Sequence, residues 1–288
     1  MLFQLLANGV ISGSTYALIA MGFVLIYKST SVVNFAQGDI VMVGAYIGLT
    51  FYHFFKLPFH AAFFLTLFTL ALFGILMERV AYRPLIKAPV FSTIIATLGM
   101  GLILQNGSQL IWGASLYPFS STTPLFPIKI RFLSISPESF SVLGSAILVM
   151  LILFLFFRFT KFGKAMRATA QNTKAAAMVG ISVKKVFSIT WAISSSLGAL
   201  SGLLIAPLVG VTPQMGFVGI KAFVCGIIGG FTSLPGAVAG GIFLGIIENL
   251  VGYYISTAYK DVCAYAILIA VLIVKPTGFF EKEFKKKV

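Results

Sequence analysis

Residues 158–186 read RFTKFGKAMRATAQNTKAAAMVGISVKKV. The stretch carries Arg158, Lys161, Lys164, Arg167, Lys174, Lys184 and Lys185 and no Asp or Glu. Apolar runs flank it, from Phe140 to Phe157 and from Phe187 to Ala206. Basic loops between membrane spans are retained on the cytosolic side, so residues 158–186 are predicted to form a cytosolic loop of a polytopic membrane protein. Lys164, Arg167, Gln171 and Lys174 follow one another at helical spacing and share a face. Alanines fill much of the rest. Asn172 with Thr173 can close one helix and cap the next, and Gly180 can end the second. Two short, small-faced helices on the cytosolic surface suit docking into a partner's groove. An ordinary positive-inside loop would explain the charge but not the alanines.

Composition agrees with a membrane chain. Of 288 residues, 59% are hydrophobic and 10% charged, with a mean hydropathy of +1.02; soluble domains carry about 25% charged residues. A span needs roughly 20 apolar residues, which leaves room for eight or nine transmembrane or re-entrant helices in one all-α domain, residues 1–288. The net charge of +14 collects at span ends rather than among exposed aromatics, which argues for topology and against nucleic acid. Cys225 and Cys263 have neither metal-ligand spacing nor a disulfide framework and are expected as small buried hydrophobes. The first apolar run is long enough to span and lacks a basic leader, so no cleavable signal is expected.

Outward from the basic stretch, spans are predicted at about 5–27, 39–55, 59–77, 91–112, 140–157, 187–206, 237–255 and 262–274. The run from Ile220 to Gly230 is hardly long enough to cross and either spans or re-enters; re-entrant backbone is permitted only where protein or water satisfies it. Counted as nine, the runs put the N-terminus outside and the C-terminus inside. The segment 113–139, with Pro118, Pro124, Pro127 and Pro137, few basic residues (Lys129, Arg131) and Glu138, is expected outside. The loop after Met77, bearing Glu78, Arg79, Arg83 and Lys87, and the tail with Lys282, Lys285, Lys286 and Lys287 are expected in the cytosol. Gly9/Gly13, Gly44/Gly48, Gly236/Gly240 and Gly241/Gly245 are spaced for close helix contact. NFAQGDI and TSLPGAV, each a turn leading into a glycine-rich helix, hint at an internal repeat, as in many transporters.

Enzymatic chemistry is missing. Lys164 follows Gly163, but Ala165 stands where a phosphate-binding loop needs Ser or Thr, and Arg158 where it needs its first glycine. His53 and His60 have no helix-face partner for a metal. No metal, cofactor or catalytic residue is expected. Charged groups within the apolar runs are few, and one at mid-bilayer costs about 2.5 to 3.5 kcal/mol on insertion scales. Glu248 must therefore face protein or water. Asp39 opens span two, where the helix dipole favours an acid by about 0.3 to 1 kcal/mol, so it is either a cap or part of a path. Asn34 and Gln37 either line a polar passage or satisfy orphan backbone groups. Two isolated acids make a thin network for an ion-coupled carrier, which is the alternative reading. A pore docked through a cytosolic helix pair onto a separate ATPase fits better.

GKAMRATAQNTKAAAMVGIS resembles the cytosolic coupling loop of permease subunits of binding-protein-dependent ABC importers. NFAQGDIVMVGAY, ERVAYRPL with IIATLGMGLILQN, GIIGGFTSLPGAVAGG and the closing KPTGFF are similar to the branched-chain amino acid type of LivH kind. The resemblance implies a type II importer permease fold in a prokaryotic inner membrane. It also implies a second permease of LivM type, two cytosolic ATPases that use the ATP, and an external solute-binding protein. Carried over by position, ATPase coupling would fall to Gly163, Lys164, Arg167, Asn172, Ala176, Gly180 and Ile181. In that reading Lys164 and Arg167 meet acidic or polar groups, while Ala176 and Gly180 allow close backbone approach. Asn34, Gln37 and Asp39 match a turn in which many relatives have His at the position of Gln37, which weakens a proton-transfer role. Leucine, isoleucine and valine are the implied cargo, with urea, short amides and other amino acids handled by related permeases.

Overall fold

A computed structural model describes residues 2–86, 88–119, 128–130 and 133–280. The basic tail from 281, Lys87, Pro124, Pro127 and Arg131 lie outside the described residues, and with them the expectation for the tail and much of that for the 113–139 loop. The described chain is almost wholly helical, with one short hairpin, β1 (Ile128–Ile130) and β2 (Leu133–Ile135). Six helices among the described residues are long and apolar enough to cross a membrane.

The centre of the fold is α1 (Leu2–Thr30), buried along most of its length. Around it pack α8 (Val183–Val209), α9 (Val218–Gly229), α10 (Leu234–Tyr254) and α5 (Pro137–Phe159). α2 (Gln37–Leu49) is buried against α8, and further out are α3 (Phe59–Met77), α4 (Val90–Trp112) and α11 (Tyr259–Val274). The outer helices present Phe64, Phe68, Leu102, Ile103 and Ile269 on an open apolar surface, as lipid or a second subunit requires.

Which ends share a face follows from contacts. Tyr82 Oη donates to Thr30 O (3.4 Å), and Arg83 Nη2 lies 2.9 Å from Ser188 Oγ. The ends of α1 and α3 and the start of α8 therefore lie together, on the face bearing residues 158–186. Phe231 meets Tyr27 there (ring centroids 5.1 Å apart), and Phe279 N–H bonds Ile228 O. At the opposite face Tyr117 bridges to Val211, and Trp112 Nε1 donates to Thr50 Oγ1 (2.9 Å).

Two helices begin part-way through the apolar layer. Gln37 Nε2 donates to Ser194 O (3.1 Å), and Ser194 Oγ lies 2.9 Å from Gly22 O. Ser194 is eleven residues into α8, about 16 Å from its start at 1.5 Å per residue, so α2 begins near mid-depth. From there α2 runs to the opposite face, ending in a π-helical turn, Thr50–Phe54. α9, preceded by a 3₁₀ turn at Pro213–Phe217, starts against α2, where a Cβ on Gly38 would lie 2.9 Å from Gly219 Cα. It runs the other way, to the basic face. The short 220–230 run is thus the second leg of a broken passage.

The halves share one order, in which a long helix is followed by a short one and then by two more: α1–α2–α3–α4 and α8–α9–α10–α11. They run oppositely through the layer. α1 packs on α10 while α8 packs on α3, and α2 meets α8 as α9 meets α1. This is an inverted repeat of the kind found in transporters. The counterpart of the NFAQGDI turn is the 211–219 turn, not TSLPGAV, whose residues open α10. The sequence signal was misplaced because both turns precede glycine-rich helices.

The apolar stretch ending at Met77 also differs from expectation. The helix continues without a loop, through a π turn (Glu78–Tyr82) and a 3₁₀ turn (Arg83–Leu85). Glu78 is buried there because Arg83 engages it with Nε at 3.0 Å and Nη2 at 2.7 Å.

Candidate functional site

The basic stretch forms two short helices. In α6 (Lys161–Gln171), Thr160 Oγ1 caps the N-terminus by accepting from Gly163 N–H (2.9 Å). In α7 (Thr173–Met178), Asn172 Oδ1 accepts from Ala175 N–H (3.0 Å). The end of α7 is a Schellman turn: Ile181 N–H bonds Ala176 O, Gly180 N–H bonds Ala177 O, and Gly180 has φ +83°. That conformation suits glycine. Asn172 and Gly180 therefore shape the pair.

One face of α6 rests on the membrane domain through Gly163, Met166 and Thr169. A Cβ at Gly163 would lie 2.5 Å from Phe157 O, so only glycine lets α6 sit this close to the end of α5. Lys164, Arg167 and Gln171 lie exposed on the other face, and Lys174 lies exposed on α7. Ala176 is buried, so its small side chain serves this chain's own packing. Met178 and Val179 stand out at 87% and 76% exposure. The sequence reading passed over this pair; its signal is two apolar residues just before a helix-ending glycine. An exposed apolar tip on the same helix pair as exposed basic side chains has the make-up of an interface core with a charged rim.

At mid-depth the structure separates the candidate path residues. Asn34 and Gln37 are fully buried. Asn34 Oδ1 accepts from Ala36 N–H (3.2 Å), while its Nδ2 meets no acceptor among the described residues. Gln37 bolts α2 to α8 through Ser194. Asp39 lies in the first turn of α2, where its carboxylate accepts from its own backbone N–H; the residue at the cap position is Ala36. Its carboxylate sits between two glycines. A Cβ on Gly101 of α4 would come 2.5 Å from Oδ2, and one on Gly216 would come 2.7 Å from Oδ1.

Glu248 lies away from this seam in a network the sequence did not reveal. Tyr16 Oη donates to its Oε2 (2.8 Å), and Lys221 Nζ sits 3.0 Å from its Oε1. The same ammonium is 2.7 Å from Asp261 Oδ1. One lysine on half-helix α9 thus ties together α1, α10 and α11.

The family model described as "Branched-chain amino acid transport system / permease component" matches residues 5–272. The high-affinity branched-chain amino acid transport system permease protein LivH of Salmonella typhimurium strain LT2 is 35% identical, covering 99% of this chain and 97% of its own. The corresponding protein BraD of Pseudomonas aeruginosa PAO1 is 34% identical with the same coverage. Among solved structures, PsaBC from Streptococcus pneumoniae in complex with Fab matches with a TM-score of 0.51 at 14% identity, covering 94% of this chain and 91% of that one. That likeness speaks for the fold.

Proposed function

The chain belongs to the family of branched-chain amino acid transport system permease components, and from that premise we propose that it forms half of a translocation path for leucine, isoleucine and valine. It is a membrane permease subunit of an ABC importer, not an enzyme. Its partners in this reading are a second permease of LivM type, two cytosolic ATPases that use the ATP, and an external solute-binding protein. In this reading the face bearing α6 and α7 is cytosolic, the C-terminus lies on the cytosolic side of an inner membrane, and the N-terminus and the 113–139 loop lie outside.

The observation that carries the reading is the α6–α7 pair, with its exposed basic face and apolar tip at Met178 and Val179. Lys164 and Arg167 contact acidic or polar groups of the ATPase. Gly163, Asn172, Ala176, Gly180 and Ile181 hold the pair in the shape that transmits the push. Of the four path candidates, Asp39 faces the passage, while Asn34, Gln37 and Glu248 brace its walls. The loaded binding protein and ATP favour opposite-facing states, and differential affinity for those states makes the movement vectorial.

The test is uptake of radiolabelled leucine by the complex in proteoliposomes. Uptake should follow internal ATP and persist when ionophores dissipate the ion gradients. Loss of uptake on dissipation, with ATP held constant, would instead establish an ion-coupled secondary carrier.

A further inference from the structure

Four acids with described side chains lie on the helices of the membrane domain, at Asp39, Glu78, Glu248 and Asp261. Glu78 has Arg83, while Glu248 and Asp261 share Lys221. Asp39 has neither a cation nor a side-chain donor among the described residues, although it sits near mid-depth, two residues beyond the Gln37–Ser194 bond. Ionisable groups at such depth are rare and functional by default. The four acids differ in the one property that matters for binding a charged solute, because three are neutralised by this chain and one is left for something else.

Asp39 is partly exposed, and its carboxylate packs closely against two glycines. Gly101 and Gly216 flank its two oxygens, and any larger residue at either position would collide with the carboxylate. Beyond Gly101, α4 carries Gln105 and Gln109 at successive turns of the helix, both partly exposed, and an exposed Asn106 beside them. Residues 101, 105 and 109 lie one above another on a helix. Side-chain amides are expensive against lipid, so this row marks a polar track from Asp39 toward the opposite face. No group of three His, Cys, Asp or Glu occurs among the described residues, so a metal ion finds no ligand set here. A single, partly exposed carboxylate without a cation, with amides alongside, fits a primary ammonium.

We infer that the Asp39 carboxylate, at the seam of α2, α4 and the 213–217 turn, receives the α-ammonium group of the amino acid as it crosses mid-membrane. Gln105 and Gln109 offer amide N–H groups to the solute carboxylate on the outer side. The inference rests on the import reading above and adds to it a contact residue within the path.

The experiment uses the whole complex in proteoliposomes and reads leucine uptake beside ATP hydrolysis stimulated by the loaded binding protein. Asp39→Asn should keep assembly and stimulated hydrolysis and lose uptake at least tenfold. Asp39→Glu, which keeps the charge, should retain more uptake than Asp39→Asn. Uptake by Asp39→Asn at the wild-type rate, or equal uptake by the two variants, would overturn the inference and leave the import reading standing. Wild-type complex that fails to import leucine with ATP would remove the import reading, and this inference with it. If Asp39→Asn does not assemble, Gly101→Ala decides: it keeps the acid but forces the carboxylate aside, and normal uptake by that variant would overturn the inference.

Discussion

Gly13 of α1 and Gly241 of α10 meet backbone to backbone: a Cβ on Gly13 would fall 2.6 Å from Gly241 O and 2.7 Å from Ile242 Cα. Gly9 and Gly245 repeat the contact one turn along, so the two glycine pairs noticed in the sequence are partners across 230 residues of chain. Without a hydrophobic force between helices in lipid, such close packing is what holds them together. Gly13→Ala should therefore lower stability by about 1 to 3 kcal/mol, the usual cost of overpacking. Gly144→Ala on α5, where a Cβ meets nothing within 4 Å, should be neutral or slightly stabilising, as expected for a helical glycine in open space. Thermal unfolding in detergent, followed by size-exclusion fluorescence, distinguishes the two.

Arg167→Glu reverses a charge on the exposed face of α6 without touching the buried Gly163–Met166–Thr169 side. The variant should insert and assemble with the second permease, yet lose about tenfold in ATP-dependent uptake. Pull-down of the ATPases should weaken in parallel and worsen as salt is raised, since surface charge contacts are screened.

Met178→Asp removes the apolar tip at the end of α7 while leaving the Asn172 cap and the Gly180 turn in place. Stability of the isolated chain should shift by less than about 0.5 kcal/mol, as for most surface changes. Binding of the ATPases should fall at least tenfold by titration in detergent. Unchanged binding would assign docking to the basic face alone.

Lys221→Met leaves Glu248 buried without its counter-ion, and breaking such a pair costs about 3 to 5 kcal/mol. Lys221→Met combined with Glu248→Met removes both charges and should recover most of that loss. The comparison of melting temperatures for the single and double variants measures the coupling directly.

Local patterns in the chain reported the spans and the two surface helices well. Apolar length gave α3 and α4 to within a residue, and the Asn172 and Gly180 caps are set by neighbours three to five positions away. Long-range matters did not appear. Lys221 stands in an apolar run with nothing beside it to announce Glu248 or Asp261, which reach it only after α9, α10 and α11 pack. The continuation of α3 through Glu78 was read as a loop because its charges resemble a span end, and the Arg83 bond that allows burial closes only in the folded turn. Asp39 was legible as an acid at a helix start. That its neighbours across the seam are Gly101 and Gly216 depends on two other elements arriving from 62 and 177 residues away.

Gly38 and Gly219 touch through bare main chain at the waist of the molecule, with no side chain interlocked between them. A joint of that kind resists separation but not tilting, since no rotamer has to let go when the angle changes.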